Sequence, residues 1–520
     1  MLNTGIEGFD TVLGGGIPTG SLVMLIGSPG TGKTIMIQQL CFAWARRQEE
    51  LRQSTVNFEN ASNAASGNNI GGPGKKRSPK KGSQSASSKA IYFSTLSEPH
   101  DKLIEHISQL EFFDEALFVD DIRLLSLTGV MDEGLQKVGD LIVETARHEN
   151  AGLICIDGFR ALEGLAPTPD SIRRFLYRLS AQLNLLGVTT IVALERNLGD
   201  SPSEGDLTIA DVIIGLYHHI EGSRVYSRFE VRKIRGLKQI RGLHSYEIST
   251  KGWTIYPRFE ALAPKMLEYS GAGPEDSRIT FDLPPFEEML GGGLPKGSTT
   301  LVAGSLGSGK TLLGLHYLMA GVNRGEPGLF VGFYESPDQL FNKADRFGMD
   351  LRSAVQNGMI TLLNFAPIQL EPDILAVRVS QEVDKHSIKR MVFDGVLEID
   401  RACQFGDRTH DFFAALVTFS KVRNITTIYN YEISKIIGTE LDLSNTSLSL
   451  LAENLVLLRQ QERRNKFYRI ISVLQMRDSL HDLSVREFFI RNNIGITIQG
   501  VAVGDEDQIS SLAGNFESDN

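Results

Sequence analysis

Short unbroken apolar runs and longer amphipathic stretches alternate along this chain. Residues 21–26 (SLVMLI) and 299–303 (TTLVA) are apolar and lead into glycine-rich turns, the pattern of strands buried on both faces. Behind the turns, residues 33–47 and 310–322 carry apolar positions at helical spacing. Further strands are predicted at 90–93, 153–156 and 189–194, with a helix at 170–186. Strands alternating with helices of this length predict an α/β fold, a mostly parallel sheet covered on both faces.

The pattern occurs twice. LGGGIPTGS at residues 13–21 and LGGGLPKGS at 290–298 agree at seven of nine positions, and GSPGTGKT (27–34) is matched by GSLGSGKT (304–311). Leu13 to Leu290 and Lys33 to Lys310 are both steps of 277. Two unrelated motifs at one offset make the chain a tandem duplication. Farther on, FSTLSEP (93–99) pairs with VGFYESP (331–337), and both Glu98 to Glu335 and Asp157 to Asp394 are steps of 237. The surplus lies in residues 53–89, rich in Ser, Asn, Gly and Lys, which are expected to form a disordered surface insert. The expected organisation is a first domain over 1–259, a Pro/Gly-rich linker over 260–278, a second domain over 279–503 and an acidic tail over 504–520.

Composition narrows the setting. With 520 residues, 41% apolar and 22% charged, the chain is too long for one ordinary core and is neither collagen-like nor wholly disordered. A net charge of −10 argues against a surface devoted to nucleic acid, though the insert's basic cluster could meet an acidic partner. Cys41, Cys155 and Cys403 are too few and too scattered for a zinc site or a disulfide framework. The opening MLNTGIEGFD has no signal-peptide pattern, and no run reaches the length of a membrane span. A cytoplasmic protein without membrane contact is expected.

The glycine-rich turns carry the chemistry. G-x-x-x-x-G-K-T after a strand and opening a helix is a phosphate cradle. Gly27, Gly30, Thr31 and Gly32, with Gly304, Gly307, Ser308 and Gly309, let main-chain N–H groups approach the phosphates. Lys33 and Lys310 would reach the β- and γ-phosphates, and Thr34 and Thr311 would hold Mg²⁺. Such turns also join strands to helices with no ligand, but two full copies in the right context argue for ATP at two sites. Asp157 and Asp394 close apolar strands, where a carboxylate serves either the Mg²⁺ shell or a simple turn, and their shared offset favours the metal. Glu98 and Glu335 follow the next strand and would act either as general bases for the attacking water or as helix caps.

These residues together make the chain resemble the KaiC family of double-domain RecA-like ATPases. The resemblance extends through SIRRFLYRL (171–179), ALER (193–196), VRKIRG (231–236), ISTKGWTIYP (248–257) and VLQMRDSLHDLSVREF (473–488). It covers nearly everything except 53–89 and the extreme C-terminus. It implies two tandem RecA-like P-loop NTPase domains and a homohexamer with ATP between subunits. Lys233 and Arg235 would then contact the neighbour's nucleotide in one ring, and Met476 and Arg477 in the other. An exposed basic pair on a strand is otherwise a solvated edge.

The family typically shows two adjacent glutamates after the second strand, and here Ser97 and Tyr334 stand in the first place. The residue after each strand-end aspartate, commonly serine, is Gly158 or Gly395. Of the family's self-phosphorylated Ser–Thr pair only Ser449 remains, beside Leu450, as a candidate phosphosite. The function expected is an ATP-hydrolysing ring protein, with or without serine/threonine autokinase activity, acting with regulatory proteins in signalling. The competing readings are a RecA/RadA-like DNA-dependent ATPase, which the acidic balance disfavours, and a non-enzymatic scaffold assembled by ATP.

Overall fold

In the computed structural model the chain forms two compact units, Met1–Arg258 and Phe259–Asn520. The structure describes residues 1–66, 88–95, 100–196, 208–221, 224–267, 277–403, 406–433, 451–463, 466–477 and 479–499. Among them, no helix is long and apolar enough to cross a membrane.

The first unit is built on nine strands: β1 (Leu22–Gly27), β2 (Lys89–Ser94), β3 (Ile122–Ser126), β4 (Ala151–Asp157), β5 (Thr189–Glu195), β6 (Val212–Glu221), β7 (Arg224–Ile234), β8 (His244–Ser249) and β9 (Gly252–Tyr256). Their spatial order is β3-β2-β4-β5-β1-β6-β7-β8-β9. Pairing is parallel from β3 through β6 and antiparallel from β6 to β9. The central strands are apolar throughout because both faces are covered. On β1, Val23 and Leu25 enter one apolar cluster, and Leu22, Met24 and Ile26 enter the other.

The second unit begins with the small pair β10 (Arg278–Ile279) and β11 (Leu294–Pro295), then repeats the large sheet. Its strands are β12 (Thr299–Gly304), β13 (Gly328–Gly332), β14 (Ile360–Asn364), β15 (Arg390–Asp394), β16 (Thr426–Glu432), β17 (Asn454–Arg463), β18 (Lys466–Met476), β19 (Arg486–Arg491) and β20 (Gly495–Ile498). The order β14-β13-β15-β16-β12-β17-β18-β19-β20 reproduces the first sheet position by position. In both units the strand before the glycine-rich turn sits centrally, flanked by a parallel neighbour on each side. Loops at the carboxyl ends of such strands converge on a crevice, and that crevice is where ligands bind in open α/β sheets.

Three expectations change. The helix behind the first turn does not stop near residue 47 but runs from Lys33 to Ser66, so residues 53–66 of the expected disordered insert are helical. Most of the remaining insert lies outside the described residues. The start of the expected linker is folded: the 3₁₀ turn Phe259–Leu262 and the helix Ala263–Leu267 belong to the second unit, where the ring of buried Phe259 lies 6.0 Å from Phe412 and 5.8 Å from Phe419. Finally, Ser94 pairs with Asp157 while Gly332 pairs with Asp394, a step of 238 between β2 and β13. Glu335 therefore follows its strand one residue sooner than Glu98 follows β2.

Candidate nucleotide sites

In the first unit, β1 ends at Gly27 and the chain turns through residues 27–34 into the Lys33–Ser66 helix. Gly27 is required by crowding, since a Cβ there would lie 2.7 Å from Thr31 Oγ1 and 2.9 Å from the Leu216 side chain. Gly32 has φ +83°, and a Cβ would meet Ile248 Cδ1 at 2.2 Å. Lys33 folds back over the loop, donating from Nζ to the carbonyls of Gly27 and Ser28, both at 2.8 Å. Burial lowers the Lys33 pKa, while the charges of Glu195 and Asp157 oppose that shift. Thr34 donates from Oγ1 to Asp157 Oδ2 at 2.7 Å. Tyr92, reaching from β2, donates to the same oxygen at 2.7 Å, and burial first, then Asp157, pushes the Tyr92 hydroxyl well above its ordinary value. The buried thiols Cys41 and Cys155 lie beneath this contact with their sulfurs 3.6 Å apart, a neighbourhood that their distance in sequence hid.

The antiparallel end of the sheet supports this loop. Trp253 Nε1 donates to the Gly32 carbonyl at 3.1 Å, and Tyr246 OH donates to the Thr31 carbonyl at 3.1 Å. The two rings stack with centroids 4.1 Å apart. Sequence reasoning marked 248–257 as a family segment without giving Trp253 a role.

The second unit repeats the arrangement with different supports. Lys310 Nζ donates to the carbonyls of Gly304 and Ser305, both at 2.8 Å, and Thr311 Oγ1 donates to Asp394 Oδ2 at 2.8 Å. The partner of Asp394 from the sheet is Asn430, whose Nδ2 donates to Oδ1 at 2.8 Å. Burial raises the Asp394 pKa, and the bonds from Asn430 and Thr311 oppose it. Lys310 is lowered by burial against the charges of Glu432 and Asp394. A cleft of about 690 Å³ opens over these groups, lined also by Tyr334, Glu335, Lys343, Glu398 and Arg401.

The expected bases fare differently. Glu98 lies outside the described residues, as does Ser449. Glu335 lines the second cleft, with Oε1 paired to Lys343 and its main-chain carbonyl accepting from Asn364 Nδ2 at 2.9 Å. The capping alternative does not hold for Glu335: the helix Pro337–Arg346 is capped by Ser336, which accepts from Gln339 N.

Lys233 and Arg235 sit at the end of β7, and Arg235 pairs with Asp211 at 3.2 Å. Arg477 is exposed at the end of β18, whereas Met476 is buried at 7% exposure and packs in the second unit's core, so its side chain is committed inward. Each hairpin carries a β-bulge at the same place, between Ile213 and Ile214 on β6 and between Leu455 and Val456 on β17. Registered from the bulge, Lys233, Ile234 and Arg235 correspond to Gln475, Met476 and Arg477.

Among the described residues, no group of three or more His, Cys, Asp and Glu forms a metal cage. At each glycine-rich turn a threonine hydroxyl meets a strand-end carboxylate, Thr34 with Asp157 and Thr311 with Asp394. That set suits Mg²⁺, which keeps several waters and takes further oxygens from substrate phosphates.

The family model described as "ATPase: KaiC" matches residues 2–63, 87–260 and 282–502, spanning both glycine-rich turns and both sheets. The chain belongs to the KaiC family. It is similar to the "Circadian clock oscillator protein KaiC" of Rippkaea orientalis, 26% identical over 510 residues that cover 96% of this chain and 88% of that one. The "Circadian clock oscillator protein KaiC 1" of Synechocystis sp. is 25% identical over 504 residues, 95% of this chain and 88% of the relative. The KaiC of Synechococcus elongatus is 25% identical over 501 residues, 94% and 87%. Both units are therefore RecA-like domains of a KaiC-type ATPase, and each carries one of the two glycine-rich turns.

Proposed function

We propose that this KaiC-family protein binds ATP at both clefts, hydrolyses it with Mg²⁺, and assembles as a homohexamer whose nucleotide state is read by regulatory proteins in the cytoplasm. The observation that carries the proposal is the duplicate geometry: a lysine on two loop carbonyls at 2.8 Å and a threonine hydroxyl on a strand-end carboxylate at 2.7 or 2.8 Å. When nucleotide arrives, the carbonyl-held lysine has phosphate oxygens as stronger, charged acceptors. Bound with the nucleotide, Mg²⁺ supplies neutralisation of the phosphate charge. Thr34 with Asp157, and Thr311 with Asp394, would hold it. Glu98 and Glu335 are the proposed general bases for water, and Lys233, Arg235 and Arg477, with the main chain at Met476, are proposed to reach the neighbouring subunit. Among the described residues nothing favours a serine acceptor over water, and phosphopeptide mass spectrometry of Ser449 after incubation with Mg-ATP tests that branch.

The test combines size-exclusion chromatography, with and without Mg-ATP, and phosphate release. The expected result is an ATP-dependent shift to a six-chain mass and release that the combined Lys33→Ala and Lys310→Ala substitutions abolish. Assembly with no release would leave a scaffold. Salt-dependent binding to single-stranded DNA that stimulates release would favour the DNA-dependent alternative.

A further inference from the structure

Among the described residues that line the second cleft, two side-chain atoms are buried with no hydrogen-bond partner: Glu335 Oε2 and Asn430 Oδ1. Both are acceptors. Only the amide nitrogen of Asn430 can donate to the Asp394 carboxylate, so the atom left over is the carbonyl oxygen. Asn430 is 2% exposed and lies on β16, while Glu335 follows β13. These strands hold Asp394 between them, for Gly332 of β13 and Asn430 of β16 are both its register partners on β15. The two acceptors thus approach the cleft from opposite sides of Asp394.

A buried acceptor without a donor is uncommon, because it gives up its water and gains nothing in return. The first unit avoids this one. Ala193 stands where the step of 237 that relates Asp157 to Asp394 places Asn430. There the donor from the sheet is the Tyr92 hydroxyl. Phe330 occupies the position of Tyr92, since Tyr92 pairs with Cys155 and Phe330 with Val392, again 237 apart. A tyrosine would therefore have sufficed to secure Asp394. The amide secures it and adds an acceptor.

We propose that Asn430 is a catalytic residue of the second unit, its Oδ1 accepting one hydrogen bond from the attacking water while Glu335 Oε2 accepts the other. The inference rests on the ATPase reading above, with Glu335 as the base. Water carries two O–H donors, and engaging both fixes its orientation and turns a lone pair toward the γ-phosphorus. As the water oxygen bonds to that phosphorus, the bond from phosphorus to the bridging oxygen breaks and its electron pair leaves with the nucleoside diphosphate. The proton facing Glu335 passes to the carboxylate and then to solvent, and the one facing Asn430 stays on the inorganic phosphate. The first unit, with Ala193 in this place, holds its water without an amide there.

The experiment uses the full chain carrying Lys33→Ala, so that phosphate release reports the second unit, with affinity read from a fluorescent ATP analogue. Asn430→Ala removes both the acceptor and the donor to Asp394. Adding Phe330→Tyr returns a donor to Asp394 in the manner of Tyr92 but no carbonyl oxygen. The double variant separates the two roles. Its kcat should stay roughly 10- to 100-fold below that of the background, as expected for a misplaced nucleophile. The analogue's Kd and the Mg²⁺ concentration for half-maximal release should both remain within about twofold, because the lost contact is made to the water alone.

Unchanged release in Asn430→Ala overturns the proposal. So does release restored by Phe330→Tyr, which would confine Asn430 to holding Asp394, and so does a loss that excess Mg²⁺ repairs, which would place the amide on a water of the metal. Loss of analogue binding in both variants would make Asn430 a structural residue and likewise overturn it. If Lys33→Ala alone abolishes release while Lys310→Ala does not, hydrolysis belongs to the first unit: the proposal falls and the ATPase reading stands. If the unmodified chain releases nothing, the ATPase reading itself fails.

Discussion

Trp253 donates its indole N–H to the carbonyl of Gly32 at 3.1 Å, tying strand β9 to the phosphate loop. The chain's two tryptophans, Trp44 and Trp253, both belong to the first unit. Tryptophan emission therefore reports one nucleotide site. Mg-ATP should change the emission of the unmodified chain and of Lys310→Ala, but not of Lys33→Ala. The change should survive Trp44→Phe and vanish in Trp253→Phe, as a fluorescence titration would show.

The Thr311–Asp394 contact makes a prediction about metal dependence. Thr311→Ala should weaken Mg-ATP binding at the second site by roughly tenfold, about 1.5 kcal/mol for one contact to a charged group. Thr311→Ser should restore it. Calorimetric titration in the Lys33→Ala background decides, and the difference should disappear in excess chelator if the hydroxyl acts through the metal.

Tyr92→Phe removes a buried donor from Asp157 without changing the ring that fills the core. Losing a buried hydrogen bond to a charged group should cost the first unit about 1.5–3 kcal/mol. Urea unfolding followed by tryptophan emission measures that unit. An unchanged midpoint would mean that Thr34 satisfies the carboxylate alone.

His316 gives the second unit a pH dependence. Its Nε2 accepts from the main-chain N–H of Ile496 at 3.0 Å, and burial pushes its pKa from 6.5 down to about 4. The unfolded chain thus binds a proton at a pH where the folded chain refuses it. Stability is full above pH 6.5 and falls as the pH drops toward 4, and this residue alone accounts for about 2.5 kcal/mol by pH 4.5. His316→Gln should flatten that slope relative to the unmodified chain when denaturation midpoints are compared from pH 7.5 to 4.5.

Much of the α/β half of each unit was legible because buried parallel strands are short apolar runs between turn residues. The helix at 310–322 was read to the residue, with Gly309 at φ 105° setting its start. The continuation of the first helix to Ser66 was not, because a Ser- and Asn-rich stretch carries no apolar period to announce it. The loop lysines and threonines came from the motif. Their partners Tyr92 and Asn430 did not, since they arrive from other strands whose register is a property of the whole sheet.

The two bulges speak to ancestry. A regular strand pairing can arise repeatedly, but an extra residue at one point of one hairpin is an arbitrary mark, and both halves bear it, at Arg232 and at Leu474. The irregularity was thus in place before the gene doubled. Lys233 and Gln475 descend from a single position, and what separates them now is the record of two copies set free to specialise.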